Sequence, residues 1–469
     1  MPPKKTKKGK GKGKGKGKGK GKGKGKGRGR GRGKPQAKGR GRGRGKPQVS
    51  QKKKTKEKKS LIPLTKNKQI YPEEKISEEE KSKRHKFWKD QPVVQMDENV
   101  NEKKIGAIDQ EKTVEEIKKK PFSLPSHYEW CVVDLMDDNK LHELYLLLRD
   151  SYVEDDDNMF RFDYSESFLR WAMTPPGYHP EWHIGLRLKK TGKLLAFIAG
   201  MPISLWINGK VHHISEINFL CIYQKLRKKD LAPLLIQEAT RRINKKNIFQ
   251  AIYTAGRLLP KPFASTTYYH RSLNPKKLVH VGFSYTTKLM TIPRLVKKNA
   301  LPSKVKNTRL RPLQESDVES GTALINNYLK NFKVSMYFSE EEFAWWFLPR
   351  EKVINTYVIT DPESGNVTDL VSFYTLNSSV LDHPKYKTLN AAYSFYNVAT
   401  TVELKELVND VLILAKNENY DVYNCLNIMD NQDFLDDLKF GQGDGLLHYY
   451  LFNYRILPIL PKELGFTIL

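Results

Sequence analysis

The chain has 469 residues and a formal net charge of +31, but this charge is concentrated at one end. Residues 1–60 hold 28 Lys and Arg and one acidic residue, Glu57, so the rest of the chain has a formal charge of only +4. A nearly neutral body argues against a globular nucleic-acid-binding domain, which would carry a basic face of its own.

Cysteine content and hydropathy argue against further classes of protein. The three cysteines, Cys131, Cys221 and Cys425, are far apart and follow neither disulfide nor metal-ligand spacing, so we expect a reduced, cytoplasmic protein without a metal site. The sequence has no run of about 18 apolar residues, so no transmembrane helix is expected. The first residues are charged but lack an apolar segment, so no secretory signal is expected.

The first 84 residues are predicted to stay outside the fold. In residues 1–60, Gly-Lys and Gly-Arg dipeptides alternate, and their repelling charges and lack of apolar side chains predict a disordered basic tail. Such a polycation would bind a polyanion in a salt-dependent, sequence-indifferent way. A solubilising tail without a defined partner is the alternative. Residues 61–84 are predicted to be a charged linker.

From Tyr128 onwards, strands and helices alternate, which predicts an α+β or mixed α/β fold. Residues 293–307, basic and with two prolines, are predicted to be a linker that divides the body into residues 85–292 and 293–469. The apolar patterns predict strands at 130–135, 183–188, 194–207, 217–223, 249–254, 353–360, 368–376, 389–398 and 420–429. They predict helices at 141–148, 233–246, 317–329 and 402–417.

An acidic loop at residues 154–157 is followed by aromatic residues. Phe160, Phe162 and Tyr164 have strand spacing, so they lie on one face and make a mixed acidic and aromatic surface with the loop. A loop that is merely solvated is the plain alternative. The mixture would suit a peptide with an apolar start and a later Lys or Arg.

The most informative stretch runs from residue 215 to residue 246. A strand at 217–223 is followed by a polar, basic turn at 224–230 and then by a helix with Pro233 in its first turn. Helical N–H groups and basic side chains at such a turn form an anion-binding arrangement. From spacing alone, a buried strand and helix with solvated charges fits about equally well.

The last residues also carry a signal. Residues 441–445, GQGDG, lack the glycine spacing of a dinucleotide site and are predicted to form a tight turn. The chain closes on Phe466, Ile468 and Leu469, although chain ends normally fray in solvent. These apolar residues predict a terminus tucked into the core, which buries an α-carboxylate at a cost unless it has a partner or a role.

The string EINFLC, followed by KLR, LAP and EATRRIN, resembles the signature of the N-myristoyltransferase family, and the resemblance extends from about Lys86 to the last residue. It implies two tandem acyltransferase domains of the GNAT type that share one continuous saddle-shaped sheet. The acyl donor would be myristoyl-CoA, with no separate cofactor, and the acceptors would be peptides and nascent proteins that begin with glycine. It also implies that the tail associates with ribosomes, through RNA, and we expect a monomer.

The resemblance further implies roles for single residues. The carboxylate of Leu469 would be the general base, the N–H groups of Phe219 and Leu220 would stabilise an oxyanion, and Asn218 and Thr254 would hold the glycine amine. The implied myristoyl-CoA contacts are Lys86, Phe87, Trp88, Phe219, Leu220, Cys221, Ile222, Arg227, Lys228, Lys229, Asp230, Leu231 and Ala232. The implied peptide contacts are Tyr152, Asp155, Asp156, Asp157, Phe160, Phe162, Tyr164, Tyr268, His270, Tyr374, Ser378, Tyr393, Asn424 and Asp444.

The chain departs from the family pattern at a few positions. Lys228 and Asp230 stand where Ser and Arg are usual, Leu446 replaces an Asn, and Tyr269 and Tyr454 replace Trp. These departures concern CoA affinity and peptide selectivity, and Asp230 is expected to cap the helix instead. Two other functions stay open: a short-chain acyltransferase of the same fold that acetylates amines, and a non-catalytic ribosome- or RNA-binding protein built around the tail.

Overall fold

The computed structural model describes residues 86–110, 112–153, 159–227 and 229–469. The basic tail, the charged linker, Asp155, Asp156, Asp157 and Lys228 therefore lie outside the described residues. None of the helices within the described ranges is long and apolar enough to cross a membrane.

The described part contains seventeen strands, whose bounds are as follows. They are β1 (Tyr128–Val132), β2 (Phe160–Asp163), β3 (His183–Leu188), β4 (Leu194–Ile207), β5 (Lys210–Ile222), β6 (Ala251–Ala255), β7 (Ala264–Ser272), β8 (Arg311–Pro312), β9 (Val334–Met336), β10 (Ile354–Thr360), β11 (Val367–Thr375), β12 (Asn377–Val380), β13 (Thr388–Leu389), β14 (Ala391–Val398), β15 (Val422–Leu426), β16 (Gly441–Phe452) and β17 (Leu464–Gly465).

Nine α-helices accompany these strands in the described ranges. They are α1 (Asp138–Ser151), α2 (Glu166–Met173), α3 (Leu231–Asn244), α4 (Pro275–His280), α5 (Ile292–Lys298), α6 (Val318–Leu329), α7 (Glu340–Phe347), α8 (Leu404–Asn417) and α9 (Gln432–Leu435). Residues 86–89 add one helical turn ahead of them.

One sheet organises the described residues. Its strands follow the order β1-β3-β4-β5-β6-β16-β7-β15-β14-β11-β10-β8, with β9 on β4 and β17 on β9. Most neighbours are antiparallel, whereas β5–β6, β14–β15 and β9–β17 are parallel. The late strand β16 lies between β6 and β7, so residues from both ends of the chain meet in one continuous sheet. The mixed α and β class with one large continuous sheet is thereby confirmed, and β13, β12 and β2 form a second, small sheet.

The apolar chain end is buried, as predicted. Phe466 is 1% exposed and Ile468 is 6% exposed, and both belong to the main hydrophobic core. The ring of Phe466 lies 6.2 Å from that of Tyr449 on β16, in an edge-on arrangement. Burial of these side chains outweighs the ordering cost of the last residues and brings Leu469 to the central strands.

Two segments differ from the sequence-based expectation. The predicted linker at 293–307 contains α5, because Pro293 sits in the first turn, where its missing N–H costs nothing. The predicted tight turn at 441–445 is instead the start of β16, with a register shift against β7 between Gln442 and Leu446. Gly443 is required there, since a Cβ at this position would lie 2.3 Å from Nε2 of His270.

The helix α3 also buries more than its apolar stripe. Glu238 and Arg241 lie off this stripe but are buried because residues 118–122 cover them. The Glu238 carboxylate accepts hydrogen bonds from Arg241 and Arg242 and from the N–H of Phe122. These donors hold the pKa of Glu238 below its usual value despite burial. The network fixes the outer side of α3, whose inner side faces the candidate site.

Candidate active site

A mostly apolar cavity of about 290 Å³ lies between α3, β5 and β6. The sheet wall is set by the parallel pairing of the two strands, which places Ser215 beside Ala251 and Ile217 beside Tyr253. The cavity is lined by Trp88, Tyr152, Val153, Ile198, Ile217, Asn218, Phe219, Leu220, Ile236, Ala239, Thr240, Ile243, Asn244, Phe249, Gln250, Ala251, Tyr253, Thr254, Ala255, Leu259 and Phe452. An elongated apolar group is the natural occupant of such a site.

The helical turn at 86–89 covers one side of this cavity. Trp88 stacks on Tyr253 with ring centroids 5.5 Å apart and planes 7° apart, and Phe87 packs edge-on against Trp88. Of the three predicted contacts in this turn, Trp88 lines the cavity, whereas Lys86 is exposed and Phe87 lies behind Trp88. The indole therefore acts as a wall of the cavity.

A bulge in β5 shapes the mouth of the cavity. Where β4 pairs with β5, Phe197 lies opposite Cys221 and Ala199 lies opposite Asn218. Two residues of β5, Phe219 and Leu220, therefore lie opposite the single residue Ile198 of β4. Phe219 has a φ of +54°, which is rare for a bulky side chain, and bulges of this kind often re-aim the backbone beside active sites. Tyr152 and Tyr164 pack on the buried Phe219 ring and hold this backbone in place.

Asn218 connects the bulge with the chain end. Its Nδ2 donates to a main-chain oxygen of Leu469 at 2.7 Å and to Oε1 of Glu216 at 3.3 Å. Its Oδ1 accepts the N–H of Phe219 at 2.8 Å. The structure thus brings Leu469 to Asn218 and Phe219, which are far from it in sequence. Thr254 lines the same cavity, in register with Tyr449 of β16.

Glu216 is a buried carboxyl group that the sequence did not single out. Burial raises its pKa from 4.5 to about 7, and the hydrogen bond from Asn218 opposes this shift only partly. At neutral pH about half of this group is therefore protonated, three positions before Phe219 in the bulge.

Replacing Glu216 with Gln is expected to remove a pH-dependent loss of stability. As the pH rises above 4.5, the carboxyl group ionises in the unfolded state while it stays protonated in the folded state. The free energy of unfolding therefore falls, by about 3 kcal/mol in total once the pH exceeds 7. The free energy of unfolding, measured in urea at pH 5 and at pH 8, should show most of this fall for the wild type and should lack it for E216Q. The exposed Glu351, changed to Gln, is the control. An equal pH dependence in wild type and E216Q would contradict the assignment.

A second group of predicted residues forms an aromatic cluster next to the bulge. Tyr164 contacts Tyr152 and Phe162, while Tyr393 stacks on Tyr374 at 5.3 Å and meets Tyr268 edge-on. Ser378 of β12 is buried and pairs with Phe162 of β2 in the small sheet β13-β12-β2. The cluster makes a rigid apolar surface beside the cavity mouth.

His270 extends this surface towards β16. Its Nδ1 lies 2.6 Å from Oδ1 of Asn424, its pKa is lowered chiefly by burial, and the exposed Asp444 opposes that shift. Phe283 bridges His270 and Phe160, with ring centroids 5.3 Å and 5.9 Å away. Of the predicted peptide contacts within the described residues, Tyr164, Tyr374, Ser378 and Asn424 are buried, and the others are at least partly exposed.

The basic turn before α3 is built differently from the expectation. Arg227 donates to the main-chain oxygens of Ser151 and Tyr152 at the end of α1, where a cation is favourable. Asp230 precedes α3 with a φ of +50° and makes no capping hydrogen bond, so the expected cap is wrong. The left-handed backbone turns its side chain away from the helical N–H groups. Lys229 is exposed, and Leu231 and Ala232 begin the helix.

Several predicted residues do not line the cavity. Cys221 and Ile222 follow the bulge, and the buried Sγ of Cys221 faces the main-chain oxygen of Leu147 at 3.9 Å. Burial raises the pKa of this thiol to about 12, so it is protonated at neutral pH and is no nucleophile.

Sequence reasoning missed most of the cavity wall. Ile236, Ala239 and Ile243 are apolar residues at helical spacing, but such a stripe does not distinguish a wall of a cavity from a packed core. Phe249, Gln250 and Ala251 became part of the wall only because β6 pairs with β5 in parallel. No local sequence pattern predicts the parallel pairing of β6 with β5.

Comparisons with known proteins agree with this arrangement. The family model for the N-terminal domain of myristoyl-CoA:protein N-myristoyltransferase matches residues 107–266, and the model for its C-terminal domain matches residues 280–464. Glycylpeptide N-tetradecanoyltransferase 1 of Arabidopsis thaliana is 48% identical over 391 residues, which cover 83% of this chain and 90% of the relative. The Drosophila melanogaster glycylpeptide N-tetradecanoyltransferase is 47% identical over 388 residues, or 83% of this chain and 82% of that protein.

A solved structure extends the likeness to three dimensions. The crystal structure of Saccharomyces cerevisiae N-myristoyltransferase with bound myristoyl-CoA superposes with a TM-score of 0.77 at 43% identity, covering 80% of this chain and 94% of that chain. Identity at this level over most of both chains shows the family as well as the fold. The chain is therefore an acyltransferase that belongs to the myristoyl-CoA:protein N-myristoyltransferase family.

Proposed function

We propose that the chain transfers the myristoyl group of myristoyl-CoA to the N-terminal glycine amine of peptides and proteins, without a separate cofactor. The observation that carries this proposal is the junction of the apolar cavity with the Asn218–Leu469 contact at the β5 bulge. A long acyl chain gains about 0.8 kcal/mol for each methylene it buries, so the cavity selects for length. The reacting thioester would then lie at the bulge.

The bulge supplies the electrophilic half of the mechanism. During attack the thioester oxygen becomes an oxyanion, which backbone N–H groups stabilise in a dry site. We infer that the N–H groups of Phe219 and Leu220 perform this task, and that the Phe219 N–H exchanges its bond with Asn218 Oδ1 for one with the substrate oxygen. The amine nitrogen forms a bond to the carbonyl carbon, the carbon–sulfur bond breaks, and CoA leaves as the thiol after taking up a proton.

The chain end supplies the base. Only the neutral amine attacks, and an α-carboxyl of pKa ~3.5 is a poor base for an amine of pKa ~7.8, a gap of about 6 kcal/mol. Burial raises the first pKa and lowers the second, which narrows the gap from both sides. We propose that the carboxylate of Leu469 takes the proton, held by the amide of Asn218, while Thr254 helps to hold the amine.

The acceptor peptide would lie along the aromatic cluster and His270. The apolar surface of Tyr152, Tyr164 and Tyr393 suits the first residues of the peptide. We infer that Asp444 and the acidic loop at residues 155–157, which lies outside the described residues, favour Lys or Arg further along. The turn at residues 227–232 would hold the CoA phosphates through α3 N–H groups and basic side chains.

The remaining expectations complete the proposal. We infer a cytoplasmic monomer whose basic tail at residues 1–60 binds ribosomal RNA through counterion release. We further infer that residues 85–292 bind the acyl donor and that residues 293–469 take part in peptide binding and carry the catalytic C-terminus. The position of strand β16 between β6 and β7 supports a peptide site to which both parts contribute, because it brings Asp444 near His270.

Label transfer tests the proposed reaction. The full chain, untagged after Leu469, is mixed with labelled myristoyl-CoA and either a Gly-x-x-x-Ser peptide or the same peptide with Ala in place of Gly. We expect label on the glycine peptide alone, because a Cβ at the first residue meets the crowded bulge. Label on both peptides would contradict glycine recognition. Transfer from acetyl-CoA but not from myristoyl-CoA would favour the short-chain alternative instead.

A further inference from the structure

The segment 284–299 carries the two most exposed large apolar side chains of the described residues. Leu289 is 78% exposed and Tyr285 is 75% exposed, and Val296 on α5 adds a third at 45%. Most exposed apolar residues stand alone, whereas these three come from one short segment. A concentration of this kind marks an interaction surface.

Leu289 is held at the tip of a defined turn. Thr287 and Met290 exchange main-chain hydrogen bonds at 3.3 Å and 3.1 Å, and the Met290 N–H also donates to Oγ1 of Thr287 at 3.0 Å. Arg294 on α5 donates to the main-chain oxygen of Leu289 at 2.7 Å. Hydrogen bonds to the main chain before and after Leu289 therefore hold its side chain in an exposed position.

The segment is also anchored to the strand that carries His270. Arg271, 2% exposed, donates to Oδ1 of Asn299 at 2.7 Å and to its main-chain oxygen at 3.3 Å, which fixes the end of α5. At the other end, the N–H of Ser284 donates to the main-chain oxygen of Leu278 on α4. Phe283, next to Ser284, packs on His270. The exposed turn thus adjoins the proposed peptide site.

Uncompensated cations surround this apolar tip. Lys288, Arg294, Lys297 and Lys298 are exposed, and none of the four forms an ion pair with another described residue. No Asp or Glu occurs in the sequence between Glu238 and Glu315. This basic segment belongs to the body of the chain, which is nearly neutral as a whole, so the charge is local.

We propose that the apolar tip, defined as Tyr285 and Leu289 with the cations of residues 288–298, docks on an anionic lipid bilayer. A bilayer interface accepts apolar side chains at the depth of the head groups and attracts each nearby Lys or Arg, a combination that water or a neutral protein surface does not provide. The turn and α5 act as one preformed unit, so little ordering cost opposes docking. The proposal does not rest on the proposed reaction, although it would deliver an acylated product beside a membrane.

A local probe at position 289 separates this docking from binding by the basic tail, which also attracts anionic vesicles. In the full chain, L289C carries an environment-sensitive thiol dye, with L460C as a matched exposed leucine elsewhere and the labelled wild type as background for its three free cysteines. With vesicles of phosphatidylcholine and phosphatidylserine, we expect a blue shift and a several-fold gain in emission at position 289 alone. No change at position 289, or equal changes at 289 and 460, would overturn the proposal.

Vesicle partition of charge variants supplies the second test. Replacing Lys288 and Lys297 with Gln leaves the hydrogen bond from Arg294 to Leu289 in place and should lower vesicle partition, read from the emission at position 289, by about five-fold per charge, with myristoyl transfer to a soluble peptide unchanged. The same emission change on phosphatidylcholine alone would overturn the anionic requirement. Intact transfer activity with no docking would overturn this inference and leave the proposed reaction standing.

Discussion

Adding three alanines after Leu469 is expected to lower kcat for myristoyl transfer by about 10²- to 10⁴-fold, the usual contribution of a general base. The added residues convert the terminal carboxylate into an amide, which cannot accept the amine proton. The added residues must also be accommodated after a chain end whose Phe466 and Ile468 are buried in the core. The effect is measured as a single-turnover rate with saturating myristoyl-CoA, so that binding and chemistry are separated.

Leu469→Val is the matched control for this extension. It keeps the carboxylate and its contact with Asn218 Nδ2, which lies 2.7 Å from the Leu469 oxygen, and alters only the side chain. We expect activity within a few-fold of the wild type. Myristoyl-CoA affinity should be unchanged in both proteins, because the cavity is intact. Full activity of the extended chain would refute the assignment of the base.

Ala251→Leu is expected to reverse the preference for acyl chain length. Ala251, Tyr253, Thr254 and Ala255 of β6 line the cavity, and Ala251 lies about 10 Å along the strand from Thr254, beside Ser215 and away from the bulge. Overfilling a packed site costs about 1–3 kcal/mol, so kcat/KM for myristoyl-CoA should fall about 10- to 100-fold. Decanoyl-CoA should lose much less, because its chain ends before the new side chain.

Ala251→Gly provides the opposite control at the same position. It keeps the cavity open, so the preference for myristoyl-CoA over decanoyl-CoA should persist. Steady-state kcat/KM values for both donors and both variants decide the matter. An equal loss for both donors in Ala251→Leu would mean that the substitution disturbs the sheet and that residue 251 does not limit chain length.

Periodicity predicted the type of most elements but not their partners. The strand 194–207 agrees with β4 at both ends, and the helix at 402–417 agrees with α8 to within two residues. Long, uniformly patterned segments have one dominant solution, so their type is local information. Short or mixed segments failed: α5 was taken for a linker, and GQGDG for a turn, since Pro and Gly weaken local patterns without forbidding a packed element.

For the candidate site, too, some features could be predicted from the sequence and others could not. The signature around Asn218 and the apolar chain end were visible in the sequence, and so was the resemblance that relates them. Their contact was not, because 251 residues separate Asn218 from Leu469 and only the insertion of β16 between β6 and β7 brings the chain end to the bulge. Glu216 escaped notice for a related reason, since its raised pKa comes from burial and not from its neighbours in sequence.

The sequence by itself determined the fold class, the basic tail, the family and the residues that are candidates for chemistry, because composition, periodicity and motif are properties of the chain. The tertiary structure alone decided the cavity wall, the φ of Phe219, the partner of Asn218 and the exposure of Leu289. Those features depend on which strands pair and which surfaces remain uncovered. Pairing between distant strands is settled by the burial of the whole core, which no local stretch of sequence encodes.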